Sequence, residues 1–217
     1  MAVIESFDYE DGTSQGWNTG TSADITTEVA TEAALGGSNY GMRVVHHTQN
    51  SVERDSSITL QSTYTDIHFQ FKFKIISGSE GQYGGAYWRF TALYYNAGEF
   101  MHLVLHWTGS EWQLRYDTLE QSLETDTEYL LEYRFVRDAS VGGVQIWLDE
   151  VSLYSDFTND TTNYSAVNRT IIGALYTYGN MTAGSGFMWD DVKVGDAYIG
   201  VPTPTYTLPH YVYGDGS

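Results

Sequence analysis

The sequence predicts an all-β protein, an antiparallel two-sheet sandwich with an extended C-terminal arm, and three observations predict it. Residues 67–75 alternate strictly between apolar and polar side chains, further aromatic and β-branched runs recur at short intervals, and all three prolines fall after Gly200. In the first run Ile67, Phe69, Phe71, Phe73 and Ile75 interleave with His68, Gln70, Lys72 and Lys74. A strand sends those two sets to opposite faces, one to a core and one to solvent, whereas a helix would scatter both.

The other strands follow in order. Ala86–Tyr95, Phe100–Trp107, Glu111–Asp117, Tyr129–Asp138, Gly143–Ser155, Thr170–Thr177 and Gly186–Val194 are rich in β-branched and aromatic residues, with Gly, Asn, Asp and Ser in the gaps. Trp107-Thr108-Gly109-Ser110-Glu111 reads as a short hairpin loop, and Leu148-Asp149-Glu150-Val151 as a tight turn. Only Ala30–Leu35 suggests a helical turn. Many short strands with almost no helix indicate a sandwich or barrel. No internal boundary divides residues 1–200. Residues 201–217 carry Pro202, Pro204 and Pro209, which disfavour helix and central strand, so this segment reads as an arm. Tyr206, Tyr211 and Tyr213 give the arm something to bury, and they are the candidates for docking on another protein subunit.

Composition narrows the partners. The 217 residues include 28 acids against 10 Lys and Arg, a formal charge of −18, and no cysteine. Such a field repels phosphate backbones and anionic bilayers, which argues against nucleic acid and membrane insertion. Without cysteine there is no disulfide framework, thiolate metal site or Cys nucleophile. No basic start followed by an apolar run marks a signal peptide in residues 1–20. Four sequons, at Asn159, Asn163, Asn168 and Asn180, fit an Asn/Thr-rich composition better than they fit glycosylation.

Two segments at opposite ends carry a known pattern. Glu5–Trp17, ESFDYEDGTSQGW, and Phe187–Gly200, FMWDDVKVGDAYIG, resemble the opening F-x-x-E-D-G…G-W and closing D-D-V-x-V of concanavalin A-like jelly rolls, a group that includes laminin-G, MAM and carbohydrate-binding-module domains. Gly143–Ser155 resembles the hairpin those domains write G-x-V-x-(V/I)-x-x-D-G, with Glu150 in place of the usual glycine. The resemblance implies a jelly roll whose first and last strands are neighbours, so that Phe7, Trp17 and Val192 share one core. It also implies that Glu10 and Asp191 could meet at the sandwich rim, where the family often holds a structural calcium. Glu10, Asp11, Asp190 and Asp191 supply carboxylates for the six to eight oxygens calcium needs. The competing reading is that Asp190 or Asp191 caps backbone N–H groups in a turn.

The expected chemistry is binding rather than catalysis. The paired carboxylates of glycan-cleaving relatives, about 5–5.5 Å apart in retaining hydrolases, have no counterpart in a strand motif here. Neither does the Arg-x-Glu-x-Arg set of lyase relatives. His102 and His106 share one strand face, but about 13 Å separates residues four apart in a strand, too far for one metal ion. Arg89 and Tyr87 could share a nearby surface. Sugars stack on aromatic faces, and Tyr83, Tyr87, Trp88, Arg89, Tyr95, Trp112 and Tyr178 are the candidate ligand-binding residues. The segment Tyr83–Trp88 is favoured because its glycines allow close approach. Alternation in 86–95 puts Trp88, Phe90 and Tyr94 on one face and Tyr87, Arg89 and Thr91 on the other. The expected function is a non-catalytic structural, decoration or adhesion protein on a virus particle, at the virion surface or outside cells, with possible glycan binding. The alternative is a carbohydrate-binding module of a secreted or cell-surface protein; a glycan-cleaving enzyme is the least favoured reading.

Overall fold

A computed structural model describes residues 3–48, 54–80, 85–95, 98–163, 166–178 and 181–200, with the backbone alone for 54, 55, 95, 98–100 and 174–178. The expected arm, 201–217, lies outside the described residues, and with it Tyr206, Tyr211 and Tyr213.

In chain order the strands are β1 (Val3–Phe7), β2 (Gly20–Thr21), β3 (Ile25–Ala30), β4 (Gly41–His46), β5 (Arg54–Tyr64), β6 (Asp66–Ile75), β7 (Ala86–Tyr95) and β8 (Gly98–Trp107). They continue with β9 (Trp112–Tyr116), β10 (Leu119–Leu123), β11 (Glu128–Val136), β12 (Gly142–Leu148), β13 (Val151–Asn159), β14 (Val167–Tyr178) and β15 (Gly186–Gly195). A 3₁₀ turn at Thr31–Ala33 fills the place where the sequence suggested helix.

Two antiparallel sheets result. The larger runs β13-β12-β11-β6-β15-β4-β3-β2, with β1 on β15; the smaller runs β10-β9-β8-β7-β14-β5. The chain is therefore a jelly-roll sandwich whose first and last strands pair, with Phe7 opposite Val192. Phe7 and Trp17 meet edge to face at 5.7 Å, and both share the core with Val192, as the resemblance implied.

β6 shows why this sequence takes this fold. Ile67, Phe69, Phe71, Phe73 and Ile75 are all fully buried, and burial of side chains this size is worth about 1.5–3 kcal/mol each. Phe73 meets Phe90 of the facing sheet at 5.3 Å, so the two inner faces interdigitate. The β12–β13 turn places both Asp149 and Glu150 at positive φ, and the Asp149 carboxylate accepts from the Leu130 N–H at 2.8 Å. That bond anchors a two-residue hairpin even though a glutamate occupies a position where glycine is easier.

The polar side of β6 departs from expectation. His68 and Gln70 were expected to face solvent, yet they are 4% and 2% exposed. Residues 198–200 cross the outer face of the larger sheet and cover them. Tyr198 lies against Trp147 and His68, with ring centres 5.0 and 6.4 Å away. Glu132 accepts hydrogen bonds from His68 Nδ1, Gln70 Nε2 and the Ile199 and Gly200 N–H groups, at 2.8–3.0 Å. This segment acts as a strap riveted to a buried carboxylate.

Candidate functional site

With the larger sheet partly strapped, the outer face of the smaller one carries the candidate site. Tyr87 and Arg89 on β7 point outward and are half-buried, because their neighbours Trp88 and Phe90 are drawn into the core. The same alternation turns His102, Val104 and His106 outward on β8 and Gln113 and Arg115 on β9.

Strand register aligns these residues into two ladders. Gln113 stands opposite His106 and His106 opposite Tyr87, while Arg115 stands opposite Val104 and Val104 opposite Arg89. Strands spaced about 4.8 Å apart make each ladder roughly 10 Å long. Glu120 of β10 extends the second ladder and bridges Arg115 at 3.0 Å. Gln113 Oε1 accepts from both Nε and Nη2 of Arg115, at 3.0 and 2.8 Å, which fixes the guanidinium fork. Farther along the face, Arg169 of β14 lies over the Tyr94 ring at 5.6 Å and donates to Ser57 Oγ at 3.0 Å. A depression of about 240 Å³ opens beside the ladders, lined by His102, Val104, Arg115, Tyr116 and Asp117 among others. Burial, together with the nearby Arg115 charge, holds the His106 imidazole below its usual range. It is therefore neutral at physiological pH and offers both a donor and an acceptor.

Several sequence-based assignments need correction. Trp88 and Trp112 are not a surface platform: they stack on each other at 4.8 Å inside the sandwich, 0% and 1% exposed. Alternation cannot tell which of two aromatic-rich faces turns inward, and here the larger indoles fill the core. Tyr94 was placed with Trp88 and Phe90, but a bulge between Arg89 and Thr91 shifts the register. Thr91 then points inward, bonding the Tyr133 hydroxyl at 2.8 Å, and Tyr94 joins the outer face. Tyr83 and the side chains of Tyr95 and Tyr178 lie outside the described residues. Arg115 and Arg169 are not among the residues the sequence points to. The alternation in WQLRY, with Trp and Leu against Gln and Arg, was the available signal for Arg115.

The four rim carboxylates each have partners within the protein. Glu10 accepts from the Asn39 backbone and side-chain amides at 2.8 and 2.6 Å, and Asp11 from the Thr13 N–H and hydroxyl. Asp190, 1% exposed, accepts from the Leu35 and Asp191 N–H groups and the Ser38 hydroxyl, the capping arrangement. Burial raises the Asp190 carboxyl despite those bonds. Burial also pushes Asp191 up, but its bonds and charge contacts with Lys193 and Lys72 outweigh that and leave it lowered. Among the described residues no group of three or more His, Asp or Glu side chains forms a metal cage.

A second concavity, about 680 Å³, lies at one end of the sandwich between Trp107, Tyr129, Gln121 and the carboxylates Glu80, Glu111 and Glu124. Its lining is acidic, opposite in character to the ladders.

No protein family matches the chain, and no curated protein matches its sequence. Solved structures do share its architecture. The cellulose-induced protein Cip1 is 16% identical with a TM-score of 0.62, covering 91% of this chain and 100% of that one. A sialidase is 8% identical with a TM-score of 0.61 over 90% of this chain, which spans 18% of that protein. A carbohydrate esterase from the Shiga toxin-encoding bacteriophage phi24B is 15% identical with a TM-score of 0.51, covering 89% of this chain and 97% of that one. At these identities the likeness establishes the fold, which is the concanavalin A-like jelly roll.

Proposed function

We propose that this chain is a carbohydrate-binding module that holds a glycan across the outer face of its smaller sheet. The observation that carries the reading is the pair of ladders through Tyr87, Arg89, His106, Gln113 and Arg115. They combine an aromatic ring with hydrogen-bonding groups at a spacing that suits successive sugar units, on strands that hold them rigidly. The named chemistry of two structural neighbours, a sialidase and a carbohydrate esterase, supports a carbohydrate ligand, although a shared fold does not fix function.

Binding is favoured over cleavage by the carboxylates. Among the described side chains within these strands, Glu120 is the acid on this face, and it is engaged by Arg115. Glu111 and Asp117 stand at the ends of the β8–β9 and β9–β10 hairpins and are engaged as well, Glu111 by Gln113 Nε2 at 2.9 Å and Asp117 by the Tyr154 hydroxyl at 3.0 Å. Hydrolysis by the usual route needs two carboxyls flanking one glycosidic bond.

A glycan array probed with the intact chain tests the proposal. Oligosaccharide binding is expected, and Tyr87→Ala should weaken it about tenfold or more if that ring is an anchor, with the melting temperature measured alongside to confirm folding. An array with no bound carbohydrate would overturn the reading.

A further inference from the structure

We infer that the ligand of this face is an anionic glycan, one bearing carboxylate or sulfate groups, which rests on the glycan-binding reading and sharpens it. Acids outnumber Lys and Arg by 28 to 10 over the chain, so an unbiased patch would be strongly negative. The outer face of the smaller sheet departs from that ratio. Arg89, Arg115 and Arg169, three of the chain's seven arginines, share it with Glu120 among the described strand side chains, and with Glu111 and Asp117 at its hairpin ends, so cations there equal acids instead of being outnumbered almost threefold. All three cations are arginines, whose planar fork matches the two oxygens of a carboxylate or sulfate.

Arg115 and Arg169 are held in place before any ligand arrives. Gln113 grips Arg115 through Nε and Nη2, and Tyr94 with Ser57 positions Arg169. Such orientation lowers the entropy lost on binding an anion. The bridge from Arg115 to Glu120 is exposed on both sides, with side chains 33% and 56% accessible, and a surface pair of this kind is weak enough for a ligand carboxylate to displace. By the same reasoning the end groove at Glu80, Glu111 and Glu124 would repel such a ligand.

The test is calorimetric titration of the full chain with oligogalacturonate, a sulfated galactan oligosaccharide and a neutral xylo-oligosaccharide of matched length, at low and high salt. The anionic ligands should bind at least about tenfold tighter than the neutral one, the scale of one charge-assisted hydrogen bond. High salt should erode that advantage. Arg115→Gln and Arg89→Gln should each remove about tenfold of the affinity for the anionic ligands, while Glu120→Gln strengthens it and Arg137→Gln, away from this face, leaves it unchanged. The carboxylate and sulfate arms show which group the forks prefer. Equal binding of neutral and anionic ligands, insensitive to salt, would overturn the charge inference while the glycan reading stood. Binding of none of the three, in a chain that melts normally, would overturn both.

Discussion

Replacing Glu132 with leucine is expected to cost about 3–5 kcal/mol of folding stability, the usual penalty for stripping one partner from a buried polar cluster. Four donors converge on this carboxylate: His68, Gln70 and the backbone N–H groups of Ile199 and Gly200. Its side chain is 3% exposed and that of His68 5%, so water cannot take over the lost bonds. The strap would lose both backbone anchors at once and with them its hold on the sheet. Glu132→Gln keeps the shape but turns an amide N–H₂ toward donors, and should fall between wild type and leucine. Urea unfolding measures the energy, and hydrogen exchange at the Ile199 and Gly200 amides measures the strap. A loss under about 1 kcal/mol with both amides still protected would contradict this account.

Acidification should destabilise the protein through His46. Its ring is fully buried, stacked on Trp88 at 5.9 Å, and neither ring nitrogen has a hydrogen-bond partner among the described residues. Burial lowers its pKa from 6.5 to about 4, with the neighbouring His47 charge adding to the effect and Asp24 opposing it. Between those values the unfolded chain binds the proton and the folded chain does not, so unfolding gains as pH falls. The stability tied to neutral His46 is full above the unfolded pKa, declines through the window from 6.5 to about 4, and is gone below it. The total is about 3 kcal/mol, from roughly 1.4 kcal/mol per pKa unit. Stability measured against pH for wild type and His46→Leu isolates this contribution, because other titrating groups cancel in the difference. The wild type should lose about 3 kcal/mol more than the variant across the window; parallel curves would show that His46 is not the group responsible.

The parts of the fold that depend on local alternation were legible in the sequence. Ile67 to Ile75 declared a strand and its buried side, and the hairpins at Thr108–Ser110 and Asp149–Glu150 followed from turn residues between apolar runs. The pairing of Phe7 with Val192 was legible through the resemblance, since nothing local links residues so far apart. The site was less legible, for two physical reasons. Period two gives two faces without saying which is inside, and where both carry large aromatics, as in AYWRFTALYY, the choice rests on the facing sheet. A bulge then adds one residue and reverses the parity beyond it, which moved Tyr94 to the side of Arg89. His68 and Gln70 illustrate a third limit: they read as surface residues until a strap more than a hundred positions later covers them. The resemblance implied calcium at Glu10, Asp11, Asp190 and Asp191, and the last two are likewise engaged by residues elsewhere in the chain. Leu35, Ser38, Lys72 and Lys193 already satisfy them.

The most direct measurement is a crystal structure of the chain bound to an acidic oligosaccharide. The sugar should lie along the smaller sheet, over Tyr87 and His106, with its acidic groups met by the forks of Arg89 and Arg115. Density for it in the groove beside Trp107 and Tyr129, or against the strap at Tyr198, would contradict the assignment of this face.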